Sequence, residues 1–167
     1  MTAALGQYMV LLVSGLTSGI SLYLTIAILG ISGRMGWIDL PNGLEVLQHP
    51  IVIAAAILVY VVEFVADKVP FVDSTWDAVH TFIRPLGASG LGFLAGSEQG
   101  AAAQAALAIL TGAIALDSHA VKSSTRLAIN TSPEPFSNIA TSLAEHSFVF
   151  FIFWFFIKHP ILACLLV

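Results

Sequence analysis

No charged side chain occurs in this chain before Arg34. Within that opening, residues 8–32 read "YMVLLVSGLTSGISLYLTIAILGIS". Roughly 20 consecutive apolar residues cross the hydrocarbon core of a bilayer, so the run predicts a retained transmembrane helix. A secretory signal peptide would begin with a positive n-region and carry a shorter apolar stretch, and neither fits. Ser14, Gly15, Ser18 and Gly19 cluster in adjacent turns, which favours close packing against another helix.

The rest of the chain is equally greasy. Hydrophobic residues make up 57% of the 167 and charged ones 10%, with a mean hydropathy of +0.92. Soluble domains carry about 25% charged residues, so an integral membrane protein is expected, with lipids as its surroundings and no nucleic-acid partner. The formal net charge of −4 says little about partners in such a chain. Cys164 is the sole cysteine and forms no internal disulfide.

A second span is expected from about Pro50 to Ala66, with proline as helix opener. Glu63 interrupts it near the end, and Asp67 and Lys68 mark an interface. After Pro70, Asp73 or Ser74 is positioned to cap a short amphipathic helix on the membrane surface. Trp76, Val79 and Phe82 would lie opposite Asp77, His80 and Arg84. The glycine-rich stretch 86–96 then either continues from Thr81 as a third span kinked at Pro85 or forms a re-entrant segment buried in protein.

A fourth helix covers about 100–126. A fifth begins after "SPEPF" with Ser137 as N-cap and runs to Pro160, leaving an apolar tail. The expected fold is an all-α, polytopic transmembrane helix bundle of about five spans, one domain over residues 1–167. Arg34 to Pro41 and Arg126 to Pro133 share an arginine-to-proline spacing, each followed by a helix with one glutamate. That suggests an inverted repeat with halves 1–84 and 100–167. With five spans, the N-terminus, Lys68, Arg84, Lys122 and Arg126 share one side, and Arg34 and Lys158 the other. The lysine and arginine bias then puts the N-terminus in the cytoplasm.

Chemistry concentrates late in the chain. At about 100° per residue, His119, Lys122 and Arg126 fall within about 60° of one another, while Asp117 points away. Asn138, Thr141, Ser142 and Glu145 share a face of the fifth helix, with His146 to one side. A charge facing lipid at mid-membrane costs about 2.5 to 3.5 kcal/mol even on the mild insertion scale, so these groups should face each other or a wet cavity. Lys122 and Arg126 also suit the alternative of cations snorkelling at a helix end. Glu63 and Asp67, four residues apart, need a cation or a proton beside them. Candidate substrate- or ion-binding residues are Arg34, Glu63, Asp67, Lys68, His119, Lys122, Arg126, Asn130, Glu145 and His146. The five histidines lack metal-site spacing, and there is no nucleophile elbow or phosphate loop, so neither a cofactor nor catalysis is expected.

The segments "ADKVP" (Ala66 to Pro70) and "RPLGA" (Arg84 to Ala88), with the pattern "H..K...R...N.SPEP.SN...S..E" from His119 to Glu145, resemble a family of small bacterial membrane proteins, domain of unknown function 4126. The resemblance covers nearly the whole chain and implies a polytopic protein of the bacterial inner membrane without a settled activity. In the family's pattern an acidic residue often follows the glutamate, where this chain has His146. That departure favours a pH-sensitive pair over a two-carboxylate site.

Two readings of function follow. One is a small transporter or channel for an anionic or amphiphilic substrate, acting as a homo-oligomer. The other is a non-catalytic structural or accessory subunit of a larger membrane complex, with the charged cluster as an interhelical lock.

Overall fold

The computed structural model describes residues 3–131 and 135–167, and every regular element among them is helical. Helix α1 (Ala3–Arg34) is followed by a 3-10 segment (Asn42–Gln48), α2 (Pro50–Ala66), α3 (Val72–Ala95), α4 (Ala101–Ile129), α5 (Pro135–Lys158) and α6 (Pro160–Cys164). Gly6–Arg34, Ala101–Ile129 and Phe136–Lys158 are long and apolar enough to cross a membrane. The 3-10 segment and α2, bent by 69°, make a fourth when counted as one. Three to four candidate spans therefore stand where about five were expected.

α1 is broken at Ser21, whose backbone is extended (φ −152°, ψ 98°). The registers on either side of the break fix its shape. Gly15 lies against Thr111 and Ile114, and Gly19 against Ala115 and Ser118, so residues 3–20 run parallel to α4. α4 is antiparallel to α3: Gly92 abuts Leu107 and Gly112 abuts Ser89. Residues 22–34 run antiparallel to α2, since Ser21 meets Glu63 and Gly30 meets Ile53. They end at the 3-10 segment, where Gly43 packs on Leu94 at the close of α3. Both arms of α1 therefore start and finish at the same end of the bundle, with Ser21 at the tip of a helical hairpin. The expectation of one uninterrupted span over 8–32 is corrected accordingly. No proline stands at the break; Ser18, Gly19 and Ser21 make it a pliable stretch, and tertiary partners meet it there.

This also corrects the placement of the N-terminal arm. It begins at the end that holds Arg34 and Lys158, away from Lys68 and Arg126. The short α6 turns back after His159, and its Cys164 thiol lies 3.6 Å from the Met9 carbonyl, which ties the first arm to the end of α5.

α3 overturns a second expectation. No separate surface helix forms: it and the segment after it are one continuous helix through Pro85, as the first of the two alternatives for 86–96 had it, though α3 is not among the helices apolar enough to count as a span. Its polar face is turned inward: Asp73, Asp77, His80 and Arg84 are buried, while Val79 is 55% and Phe82 73% exposed. In hydrocarbon the apolar side of an amphipathic helix faces out and the polar side must find protein partners. α3 opens at Val72 with Phe71 in the cap position, so neither Asp73 nor Ser74 caps it. α5 opens at Pro135, which places Ser137 inside the helix; Ser132 to Glu134 lie outside the described residues.

A core of Met9, Val10, Val13, Leu29, Leu44, Leu91, Ile152 and Phe153, among others, fills the end near Arg34. The polar groups are left to the tip of α1 and the far end, where α2 passes into α3 and α4 into α5.

Candidate functional site

The polar faces of α2, α3, α4 and α5 converge on the α1 break. Ser21 Oγ donates to Glu63 Oε2, and Glu63 Oε1 accepts from Arg84 Nη2 at 2.8 Å. Arg84 Nη1 reaches Asp77 Oδ1 at 3.0 Å, the Gly19 carbonyl at 3.3 Å and His119 Nδ1 at 2.7 Å. A guanidinium is always a donor, so His119 Nδ1 accepts. Its Nε2 then carries the proton and donates to the Asp77 carbonyl at 3.1 Å.

Lys122 forms the next layer. Its Nζ donates to Asp67 Oδ2 at 2.9 Å and to the Ile20 carbonyl at 3.1 Å, with Glu145 at 3.6 Å and Asp77 at 3.8 Å. Arg126 grips Glu145 with two bonds, Nε to Oε1 at 3.1 Å and Nη2 to Oε2 at 2.6 Å. Its Nη1 donates to the Asp67 carbonyl at 2.8 Å. A planar fork on a carboxylate is the geometry arginine provides and lysine does not. Asn130 Nδ2 closes the far end on both Asp73 oxygens, at 2.9 and 3.0 Å.

Among the proposed residues, Glu63, Asp67, His119, Lys122, Arg126, Asn130 and Glu145 share this one column. Lys68 flanks it, donating to Ser142 Oγ at 3.2 Å with its ammonium over the Phe64 ring. His146 is buried beside it, Nδ1 donating to the Ser142 carbonyl at 2.7 Å and its ring packed on Tyr60 and Phe64. Arg34 is not brought to the site: it is exposed at the opposite end, where Nη1 meets the Gln48 carbonyl at 3.4 Å. Asp73, Asp77, Arg84 and Ser21 join the column without having been singled out as site residues. The spacing of Asp73, Asp77 and Arg84, on one face of α3 with His80, carried the signal for three of them. His119 and His146 bond to different partners, and among the described residues no group of three or more His, Cys, Asp or Glu has the arrangement of a metal site.

The ion pairs among the described residues join five carboxylates, Glu63, Asp67, Asp73, Asp77 and Glu145, to three cations, Arg84, Lys122 and Arg126. Asp67 Oδ1 and Asp77 Oδ2 are buried without a hydrogen-bond partner among the described residues. Arg84 Nε is likewise unpartnered, and by formal charge the carboxylates outnumber the cations in a setting where an unpaired charge is expensive.

The column is not sealed. α4 and α5 touch sparsely, and between them opens a groove of about 600 Å³ with Leu16, Ile114, Val121 and Phe148 as apolar walls. Lys122 and Glu145 form its inner end and Asp117 lies along it. The Glu145 side chain is 14% exposed there, against 2% for Lys122.

None of the curated proteins and none of the solved structures matches the chain. The family model described as "Domain of unknown function (DUF4126)" matches residues 9–167. With the match running almost from end to end, this helical membrane-type protein belongs to the DUF4126 family.

Proposed function

We propose that the protein is a small, non-enzymatic membrane carrier for an amphiphilic substrate. The observation that carries this reading is the α4–α5 groove, whose walls are hydrocarbon and whose inner end is the Lys122–Glu145 corner of the ionic column. Binding sites are typically apolar clefts with a few convergent polar groups, and intramembrane ionisable residues mark substrate or ion paths. The break in α1 adds to this, because discontinuous helices whose freed backbone groups meet ions recur in transporters. The residues assigned to substrate or ion handling are Glu63, Asp67, His119, Lys122, Arg126, Asn130 and Glu145, with Asp77 and Arg84 added. We place the chain in the bacterial inner membrane as a homo-oligomer. We take the end with the exposed Arg34 and Lys158 as cytoplasmic, because Arg84, Lys122 and Arg126 are buried against carboxylates and leave only Lys68 to count at the other end; the N-terminal arm then stays on that side. Flux into proteoliposomes tests the reading: a panel of amphiphiles should include one that moves with wild type and not with Glu145→Gln, while the variant stays monodisperse. A panel that yields no flux would overturn it.

The accessory-subunit reading is favoured by a separate observation. Arg84, Lys122 and Arg126 are all buried and all paired, as an interhelical lock requires. Further along α5, toward the Arg34 end, Phe150, Phe151 and Trp154 are exposed as a surface for a partner helix. Gentle extraction from native membrane separates the two: a stoichiometric foreign partner supports the subunit, and a homo-oligomer alone supports the carrier.

A further inference from the structure

Resting on the carrier reading of the α4–α5 groove, we propose that its ligand is an amphiphilic monocation without a phosphate, such as a lipophilic quaternary ammonium or phosphonium ion. Charge complementarity decides the sign. Lys122, the cation at the inner end, is turned inward: its three protons face Asp67, the Ile20 carbonyl and Glu145, and its side chain is 2% exposed. The charges that a ligand meets are acidic. Asp117 is exposed along the groove, and Glu145 is the most open of the column's ion-paired residues.

The balance of the column points the same way. Its ion pairs set five carboxylates against three cations, and Lys68, which bonds only to neutral oxygens, still leaves the group one positive charge short. A single positive headgroup beside Glu145 completes the count from the groove side, with its apolar body on Ile114, Val121 and Phe148. A bilayer phospholipid would bring a phosphate against Asp117 and Glu145, which like-charge repulsion disfavours.

The test is equilibrium dialysis of the purified full chain in non-ionic detergent with tetraphenylphosphonium, against tetraphenylborate, which has nearly the same shape and the opposite charge. Ala144→Phe, a substitution in the groove wall outside the ionic column, sets the background for uptake by the micelle. Tetraphenylphosphonium should bind saturably, one per chain, and that binding should vanish in Ala144→Phe and weaken about threefold to tenfold in Asp117→Asn. Tetraphenylborate bound as tightly, or phosphonium binding unchanged in Ala144→Phe, or none that saturates, would overturn the inference. The two proposals fail separately. Borate bound in the groove leaves the carrier reading standing without the cation. Phosphonium bound but never moved in proteoliposomes leaves the site standing without the carrier.

Discussion

Arg84 Nη1 sits 3.3 Å from the carbonyl oxygen of Gly19, two residues before the break in α1. Interrupting a helix strips the last carbonyls of their partners, and in a membrane interior no water replaces them. Here the neighbouring helices do. Ser118 Oγ donates to the Leu16 carbonyl at 2.9 Å, Arg84 to Gly19, and Lys122 to Ile20 at 3.1 Å. A helix C-terminus carries about half a negative charge, so two cations are well placed there. The ionic column and the hairpin tip are one construction: the cations that pair the carboxylates also hold the break open.

Arg84→Met should therefore cost about 3 to 5 kcal/mol, as expected when one partner leaves a buried ion pair, because Glu63 and Asp77 lose their bridge and Gly19 its donor. Arg84→Lys should recover little, since an ammonium on a shorter reach cannot hold the acceptors at 2.8, 3.0 and 3.3 Å at once. Arg84→Met with Glu63→Gln should be more stable than Arg84→Met alone. Thermal unfolding in detergent reads all three, and an Arg84→Met protein as stable as wild type would refute the account.

Lys68 and Lys122 provide a contrast between a bordering cation and a central one. Lys68 bonds to the Phe64 carbonyl and Ser142 Oγ, and no carboxylate is its ion-pair partner among the described residues. Lys68→Met should cost about 1 kcal/mol, the net worth of an ordinary hydrogen bond. Lys122→Met removes the hydrogen-bonded cation from Asp67, which is fully buried, and leaves it only Arg126 at 3.6 Å; it should cost about 3 kcal/mol. Equal losses in the same unfolding measurement would mean that Asp67 is held by other groups.

The sequence carried parts of this site and hid others, for physical reasons. The stripe of His119, Lys122 and Arg126 and its pairing with Glu145 were legible because helical periodicity is geometry. α3 was read inside out. Its amphipathic pattern was assigned to a helix lying on the membrane surface, but its polar side packs against the other helices, and Arg84 became one of the most buried side chains in the molecule. The break at Ser21 was hard to read, since the groups that meet it, Glu63, Arg84 and Lys122, are all distant in sequence. The small residues beside it were the visible trace.

Gly19 is the sharpest of those. A Cβ there would run into the Ala115 carbonyl and Ser118 Oγ of α4, and backbone cannot give way as a flexible side-chain tip can. Gly19→Ala should push α1 off α4 and lower the unfolding midpoint by several degrees. Gly90, on α3, has nothing within 4 Å of such a Cβ, so Gly90→Ala should leave stability unchanged or raise it by about 0.5 to 1 kcal/mol through helix propensity. A tolerant Gly19→Ala would show that α1 and α4 are not in contact at the tip.

The hairpin shape of α1 makes a prediction that composition alone would reverse. A straight helix over Gly6–Arg34 would put its two ends on opposite faces of the membrane. Parallel packing of the first arm on α4 and antiparallel packing of the second on α2 put both ends on one face. In a Cys164→Ala background, single cysteines at Gln7 and at Trp37, which is 58% exposed, should react with a membrane-impermeant maleimide from the same side of oriented vesicles. One at Thr131, beyond the end of α4, should react from the other side. Labelling of Gln7 from the Thr131 side would straighten α1, detach the Gly19 and Ile20 carbonyls from Arg84 and Lys122, and remove the frame on which the ionic column is built.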